Sequence, residues 1–330
     1  MLKILKDTFV QSKAGTISAS QKGIALLMVL WVLTILTVIA FSFSSMARTE
    51  GYAALSFRQT IEKKFLAEAG IERGIAELFY RNTNKDAASV TPGSEVWRTD
   101  GRPYKIVADN GYYIISIRDE AGKVDINTIP ELILRNLLVN SGLDLNDVDG
   151  IVDSIMDWKD QDNLHRLHGA EDDYYMSLPN PYKTKNAAFE TLDELLMVKG
   201  MTPEILYGTK GKRGIIDFLT VNSKMTKVSI NAAPREVLLA VPGITPELAD
   251  HIITLREAQD IKDIPGILGD SYTLAEPYVD LGVSTIFTIE STGYKSTEKA
   301  GYTIWGTVGL EYGNNTFKYL YYKSPVDIET

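Results

Sequence analysis

The chain has 330 residues, no cysteine and a formal net charge of −9 at pH 7. A sequence pI near 5.0 argues against non-specific binding to nucleic acid, which requires a basic surface. The lack of cysteine excludes disulfides and thiolate metal sites. The length is sufficient for a membrane anchor with one large or two modest domains.

The first feature along the chain is an uncharged apolar run at residues 24–41, which follows Lys22-Gly23 directly. A run of about 18 or more apolar residues is long enough to cross a bilayer as a helix. The preceding segment is basic and contains Lys3, Lys6, Lys13 and Lys22 against the single acid Asp7. The positive-inside rule places such a segment in the cytoplasm and directs the rest of the chain outward.

Three interpretations of this run remain open. A secretory signal peptide would be cut near Ser45-Met46-Ala47, but its apolar region is usually only about 7–15 residues long. A plain single-span anchor would not be cut. The third is a class III (type IV pilin-like) leader, cut between Gly23 and Ile24 so that the apolar helix remains on the mature protein. We favour the third interpretation and expect a prepilin leader at residues 1–23.

The helical pattern continues beyond the apolar run. Apolar residues recur at spacings of three or four, with charged residues on the other face: Ala53, Phe57, Ile61, Phe65, Ala69, Ala76 and Phe79. One helix over residues 24–80 is therefore predicted, with its first half in lipid and its second half packed on a globular domain. With the leader, this pattern resembles the pilin and pseudopilin family.

Met28 indicates which members of that family the chain resembles. Most members of that family carry a glutamate at the fifth mature position, which can pair with the N-terminal amine of a neighbouring subunit. Here the fifth residue from Ile24 is Met28, and the segment resembles the K-type minor pseudopilins of type II secretion systems, which lack that glutamate. The alternative is that Met28 is simply one more apolar residue of an anchor.

The resemblance implies an α+β fold, in which a pilin-like long N-terminal helix packs on an antiparallel sheet that has a large α-helical insertion of the helix-hairpin-helix or SAM-like kind. It also implies a bacterial inner-membrane protein with a periplasmic C-terminal domain. A prepilin peptidase would trim and methylate it, and it would cap a pseudopilus together with I-type and J-type minor pseudopilins. The implied subunit interface includes Met28, Phe57, Ile61 and Phe65. Contact with secreted cargo fits such a tip position but is not visible in the residues.

Strand patterns occur near both ends of the exported part. Residues 104–107 and 112–117 flank a turn signal at Asp109-Asn110-Gly111, and residues 122–126 form a candidate third strand. Three further strands are predicted at residues 285–290, 302–308 and 317–322. We therefore assign residues 81–127 and 283–330 to the pilin-like domain and residues 128–282 to the helical insertion.

The insertion contains an internal repeat. Residues 124–134 (VDINTIPELIL) are similar to residues 228–238 (VSINAAPREVL). In both, an asparagine (Asn127 or Asn231) is placed to cap a helix, and a proline lies in the first turn. The repeat predicts two related helical modules.

Residues 195–204 and 238–247 are similar to helix-hairpin-helix turns, which elsewhere bind DNA phosphates through loop amides. This leaves a membrane-anchored DNA-uptake protein as the alternative function. Glu247 and Asp250 would repel phosphate at the second turn, so we expect structural use of the turns and no nucleic-acid partner. His251 is expected to be an ordinary surface residue.

An acidic segment at residues 157–175 is the strongest candidate site. Calcium takes about six to eight oxygen ligands in irregular geometry, and we predict a calcium site from Asp160, Asp162, Asn163, Glu171, Asp172 and Asp173. Asp157 is expected to face solvent from the preceding helix. The segment also resembles the calcium-binding segment of the K-type family. A solvated acidic loop, and a zinc or manganese site using His165 and His168, are the alternatives.

The sequence contains no nucleophile elbow, phosphate loop or dinucleotide fingerprint. The acidic segment alone is compatible with a two-metal hydrolase, but no other feature supports one. We therefore expect that the protein is not an enzyme.

Overall fold

A computed structural model of the protein describes residues 19–84, 97–296 and 300–326, with side chains from Ile24 onward. It divides into two compact units, Met1–Thr60 and Ile61–Thr330, each considered separately below. Residues 1–18 of the expected leader lie outside the described residues. Gly23 and Ile24 lie in the first helix, and cleavage between them stays a prediction.

The helices and strands are largely grouped along the chain, as in an α+β fold. The described helices are α1 (Ala19–Thr83), α2 (Glu131–Asn140), α3 (Leu145–Lys159), α4 (Asp172–Met176), α5 (Pro203–Tyr207), α6 (Arg235–Ala240), α7 (Pro246–Ala258), α8 (Ile264–Leu268) and α9 (Tyr272–Ala275). The described strands are β1 (Asp100–Ala108), β2 (Gly111–Asp119), β3 (Val124–Asp125), β4 (Gly208–Thr209), β5 (Lys212–Arg213), β6 (Leu219–Thr220), β7 (Val228–Ser229), β8 (Val279–Asp280), β9 (Ile286–Lys295), β10 (Tyr302–Glu311) and β11 (Thr316–Lys323).

The first unit consists of the apolar part of α1. Among the described residues, Ile24–Thr83 is the one helix that is long and apolar enough to span a membrane, with a mean hydropathy of 2.8 in its most apolar 18-residue window. Its side chains in that window are exposed. Thr34 and Thr37 donate their hydroxyls to the carbonyls of Leu30 and Leu33, which satisfies these polar groups within the helix. The predicted long helix is confirmed.

The second unit contains a five-stranded antiparallel sheet in the order β1-β2-β9-β10-β11. The predicted first hairpin is present, with Ala108 paired to Gly111 across its turn. The three strands predicted near the C-terminus are also present, as β9, β10 and β11. Strands from both ends of the chain therefore meet in one sheet, as the pilin-like interpretation requires.

The C-terminal part of α1 packs on this sheet through Ala67, Ile71, Ile75 and Leu78, all of which are buried. Their spacing of three and four gives one apolar face. The other stripe from the sequence pattern is on the opposite side, because Phe65, Ala69 and Ala76 are exposed. The prediction of an amphipathic packed helix is confirmed, but these three residues of the predicted stripe point away from the sheet, while Phe79 packs against the core.

Glycines allow the helix and the sheet to approach closely. A Cβ on Gly70 would overlap Ser291 Oγ of β9, and a Cβ on Gly293 would overlap the carbonyl oxygen of Lys63. Neither position has room for a larger residue, so these glycines fix how closely α1 lies against the sheet.

The predicted third strand exists but belongs elsewhere. Val124 and Asp125 pair in parallel with Leu219 and Thr220, inside the helical part of the chain. In the main sheet, β2 ends at Asp119. The Asp119 carboxylate accepts hydrogen bonds from the backbone N–H of Ala121 (2.9 Å) and of Ser284 (3.1 Å). Asp119 therefore joins the points at which the chain leaves the sheet and returns to it.

The helical insertion has its own core and consists of two similar modules. Each begins with a short strand that pairs in parallel with a strand at the module's end: β3 with β6, and β7 with β8. The helix α2 packs against α6, where Asn136 Nδ2 donates to the carbonyl of Ala240 at 2.8 Å. The two copies of the repeated segment thus lie in equivalent parallel strand pairs, and the predicted module boundaries stay a prediction.

The repeated asparagines do not cap helices, in contrast to the sequence prediction. Pro130 and Pro234 occupy the N-cap positions without a side-chain hydrogen bond. Instead, the Asn127 amide both donates to and accepts from the backbone of Phe189, at 3.0 and 2.8 Å. Asn231 makes the same two bonds to Ile261, also at 3.0 and 2.8 Å. In each module the asparagine amide bonds to both the N–H and the C=O of one residue, as the backbone of a neighbouring strand would. An amide side chain can do this because it carries both a donor and an acceptor.

Candidate metal centre

The helix α3 positions the first acid of the site. Asp144 caps its N-terminus by accepting from the N–H of Asn146 at 3.1 Å, and Ile151, Ile155 and Trp158 bury its apolar face. Asp157, in the last turn of α3, is 0% exposed. The negative end of the helix dipole lies here, so the position favours a nearby cation.

Two more acids join Asp157. Asp160 follows α3 directly, and Glu171 lies where the chain returns before α4. Carboxylate oxygens of Asp157, Asp160 and Glu171 all lie within 4.8 Å of one another. We call these three residues the acidic cluster.

Glu171 is the member of the acidic cluster whose surroundings most favour a cation. It is only 2% exposed, and neither of its carboxylate oxygens has a hydrogen-bond partner among the described residues. A buried, unsatisfied carboxylate is costly unless a cation or donor compensates it.

The electrostatics of the cluster agree with this geometry. Burial raises the pKa of Asp157, and nearby Asp160 adds to the increase, while backbone hydrogen bonds from Arg166 and Ala170 oppose it. Burial raises the pKa of Glu171 too; the nearby Thr184 side chain opposes this increase, and Asp157 and Asp160 add to it. A cation between these carboxylates would favour the ionised forms of Asp157 and Glu171.

Arg166 supplies part of the compensating charge. Its backbone N–H donates to the Asp157 carboxylate, and its guanidinium lies 3.8 Å from the same group. The guanidinium bonds more closely to Glu131, at 2.7 Å. Arg166 therefore ties the loop to α2 and leaves the Glu171 oxygens uncompensated.

Gly169 lets the loop close over the cluster. A Cβ at this position would overlap Asp157 Oδ2. The carbonyls of His168 and Gly169 accept from Lys199 Nζ, at 3.1 and 2.9 Å. Neither Gly169 nor Lys199 was predicted to shape the site. The position of the glycine between the two acidic runs was the available signal for Gly169.

The structure brings together only part of the predicted ligand set. Asp160 and Glu171 lie in the cluster. The expectation that Asp157 faces solvent is wrong, because the loop folds back over the end of α3. Asp162 Oδ1 accepts from the N–H of Leu164 at 2.8 Å, and Asn163 Oδ1 accepts from Asn186 Nδ2 at 3.0 Å.

The last two predicted acids have other partners. Asp172 Oδ1 accepts from the N–H and hydroxyl of Thr184, at 2.9 and 3.1 Å, and Asp173 is exposed and accepts from the N–H of Tyr174 at 2.8 Å. His165 and His168 are exposed and do not belong to the acidic cluster. The candidate metal ligands in the cluster are all carboxylate oxygens, which fit a hard cation such as calcium better than zinc.

The two predicted hairpin turns lie between helical segments. Gly200 and Gly243 have φ of +84° and +85°, and Thr202 and Thr245 cap the helices that follow. At the second turn, Arg235 forms two hydrogen bonds to Asp250, at 2.6 and 3.0 Å. The guanidinium beside this turn is thus already paired with an acid.

Comparisons with known proteins agree with this fold. The family model described as type II secretion system (T2SS), protein K, matches residues 114–208, which include the whole acidic cluster. Residues 114–208 of this chain are thus similar to the type II secretion system protein K family. The K protein of Pseudomonas aeruginosa is 26% identical over 253 residues, which cover 72% of each chain.

Other relatives match a shorter part. The putative K protein of Escherichia coli (strain K12) is 26% identical over 56% of this chain and 59% of its own length. That of Pectobacterium carotovorum subsp. carotovorum is 28% identical over 56% and 60%. The chain therefore spans less than two thirds of these two relatives.

A solved structure shares the fold. It is a chain from the crystal structure of the GspK-GspI-GspJ complex of the enterotoxigenic Escherichia coli type 2 secretion system. The match has a TM-score of 0.56 at 13% identity, and it covers 84% of this chain and 100% of that chain. The predicted architecture, a long N-terminal helix on an antiparallel sheet with a helical insertion, is confirmed.

Proposed function

We propose that this protein is a minor pseudopilin that caps the tip of a type II secretion pseudopilus and supports its assembly and protein export across the outer membrane. The role is structural and not enzymatic. The carrying observation is that α1 is apolar on two sides in the second unit. Ala67 and Ile71 face the sheet, while Phe65, 62% exposed, and Tyr80, 43% exposed, face outward.

The outward stripe is proposed as the partner surface. The related solved chain was crystallised with GspI and GspJ, and we transfer these partners to this chain as I-type and J-type minor pseudopilins. An exposed apolar stripe on a helix is stabilised when another helix covers it. The predicted interface residues Phe57 and Phe65 are both exposed, which supports this use.

Co-purification of the full chain with I-type and J-type pseudopilins tests the role. Phe65→Glu should abolish recovery of the complex, whereas Val107→Glu, at an exposed position on β1, should not. Equal recovery with both variants would overturn the proposed interface.

Processing and location follow from the same role. We infer that a prepilin peptidase cuts before Ile24 and methylates the new N-terminus, and that α1 then anchors the chain in the inner membrane with the remainder in the periplasm. Met28 offers no acid for a neighbour's amine, which suits a terminal subunit. N-terminal sequencing of the mature protein should begin at Ile24; a start at Arg48 would instead indicate signal peptidase I.

The acidic cluster is proposed to bind calcium. Asp157, Asp160 and Glu171 would supply carboxylate oxygens, and Asp162 or Asn163 lies close enough in sequence to add a further oxygen. A bound calcium would neutralise the cluster and hold the loop against α3. Calcium titration of the purified full chain, with metal analysis, tests this assignment; the absence of any bound calcium would refute it.

A further inference from the structure

The two edges of the main sheet differ in how well they are protected. The edge strand β1 contains Pro103, which has no N–H to donate, and a register shift between Asp100 and Pro103. Gly101 adopts a φ of +89° at the same place. Proline and bulges are common ways to prevent an edge strand from pairing with another chain.

The other edge strand, β11, lacks proline and is exposed along its whole length. Five of its eight residues are large and apolar, and each is between 36% and 50% exposed: Phe317, Tyr319, Leu320, Tyr321 and Tyr322. An edge strand with this composition is a ready template for pairing with a strand of another chain.

The aromatic side chains of β11 are already ordered. The rings of Phe317 and Tyr319 meet edge to face at 5.5 Å, and those of Tyr319 and Tyr322 do the same at 5.5 Å. The Tyr319 hydroxyl also donates to Glu72 of α1 at 3.4 Å. A partner would therefore meet a preorganised surface, and little side-chain entropy would be lost on binding.

Charge selects the kind of partner. Within β11, Lys318 and Lys323 are the charged residues and there is no acid, although the whole chain has a net charge of −9. Neither lysine forms an ion pair with another described residue. An acidic segment would complement this strand.

The same charges disfavour other occupants. Antiparallel pairing of β11 with β11 of a second copy would bring the lysines of both strands together, and like charges on paired strands are destabilising. A lipid surface would leave the outward N–H and C=O groups of the edge strand without partners, which is costly in an apolar medium.

We propose that β11 is an open docking edge, which binds an extended acidic segment of a partner polypeptide by strand pairing. This surface is additional to the outward stripe of α1. The choice of I-type or J-type pseudopilin as the partner rests on the proposed function.

The absence of cysteine allows a clean test in the full chain. Tyr321→Cys would be labelled with a benzophenone maleimide in membranes that also contain the I-type and J-type pseudopilins. Val107→Cys on β1, 78% exposed, is the matched edge control, and Phe65→Cys reports on α1. Illumination followed by mass spectrometry then identifies the cross-linked peptide.

We expect Tyr321→Cys to cross-link to an acidic strand of one of these two pseudopilins, and Val107→Cys not to do so. Cross-linking from Phe65→Cys alone would overturn the docking edge and leave the proposed function intact. If neither Tyr321→Cys nor Phe65→Cys cross-links to these pseudopilins, both the docking edge and the proposed function are overturned. Cross-links from Tyr321→Cys only to lipid, to a second copy or to residues 85–96 of the same chain would also overturn the docking edge.

Charge reversal gives an independent measurement. Lys318→Glu should weaken retention of the partner pseudopilin by about fivefold, the range expected for one exposed ion pair. Lys210→Glu changes the net charge equally at an exposed turn and should leave retention unchanged. Equal effects of the two variants would show that only net charge matters, and would refute a specific contact at β11.

Discussion

Replacing Glu171 with glutamine should have opposite effects with and without calcium. The substitution keeps the size of the side chain but removes one of three carboxylates whose oxygens lie within 4.8 Å of one another. Without a cation these charges repel, so the glutamine variant should be more stable than the parent. With calcium, the parent gains the binding energy of a charged ligand that the variant has lost.

The distances give the magnitude. Two unit charges separated by 4.8 Å repel by about 3 kcal/mol at an effective dielectric constant of about 20. Protonation and the hydrogen bonds to Asp157 reduce this, so we expect about 1–3 kcal/mol of stabilisation without calcium. For a folded unit of about 270 residues, that raises the melting temperature by about 2–5 °C. Calcium at about 100 times its Kd should stabilise the parent by about 2.7 kcal/mol.

Thermal unfolding of the full chain in detergent, followed by circular dichroism with a chelator or with excess calcium, measures both arms. Asp173→Asn is the matched control, because it also removes one negative charge but from an exposed acid outside the acidic cluster. Its melting temperature should track the parent in both conditions. If Glu171→Gln shifts the melting temperature equally with and without calcium, the cluster is not a calcium site.

Three further outcomes are expected. Burial raises the pKa of Asp119 to about 6, so its protonated form is favoured in the folded state. As the pH falls from 7 to 4.5, the free energy of unfolding of the parent should therefore increase by about 2 kcal/mol relative to that of Asp119→Asn. Urea titrations measure this difference, and no increase would refute the prediction. Gly169→Ala should weaken calcium binding in titrations, whereas Gly150→Ala, at an open position in α3, should leave calcium affinity unchanged and raise stability by about 0.5–1 kcal/mol. Asn127→Ala and Asn231→Ala should each lower the free energy of unfolding by about 1–3 kcal/mol, because each leaves two backbone groups unpaired; a loss at only one position would contradict equivalent modules.

The sequence predicted best the features that depend on local patterns. The apolar run and the helical spacing after it determine α1, and the turn at Asp109-Asn110-Gly111 determines the first hairpin. The choice of face on α1 was harder, because residues on both sides of the helix repeat at three and four. Gly70 was the discriminating residue, since its lack of a side chain lets the helix contact Ser291.

Asp157 shows why the metal centre was only partly predictable. Helical spacing alone gives no sign that a loop covers the last turn of α3. The sequence pattern therefore predicts that an acid there faces solvent. The cover depends on contacts distant in sequence, including Gly169 over Asp157 and Lys199 on the loop carbonyls. The carboxylate count was visible in the sequence, but its geometry depends on tertiary contacts.

The repeat explains where the acidic segment comes from structurally. In the second module, α7 ends at Ala258 and the Asn231 side chain is hydrogen-bonded to the backbone of Ile261 shortly afterwards. In the first module, α3 ends at Lys159, but the Asn127 side chain is hydrogen-bonded to the backbone of Phe189. Most of residues 160–188 therefore have no counterpart in the second module. Two acids of the cluster, Asp160 and Glu171, lie in this extra segment. The second module has the same strand pairing and asparagine contacts without it. We therefore expect the proposed cation to order the added segment and not to form the module.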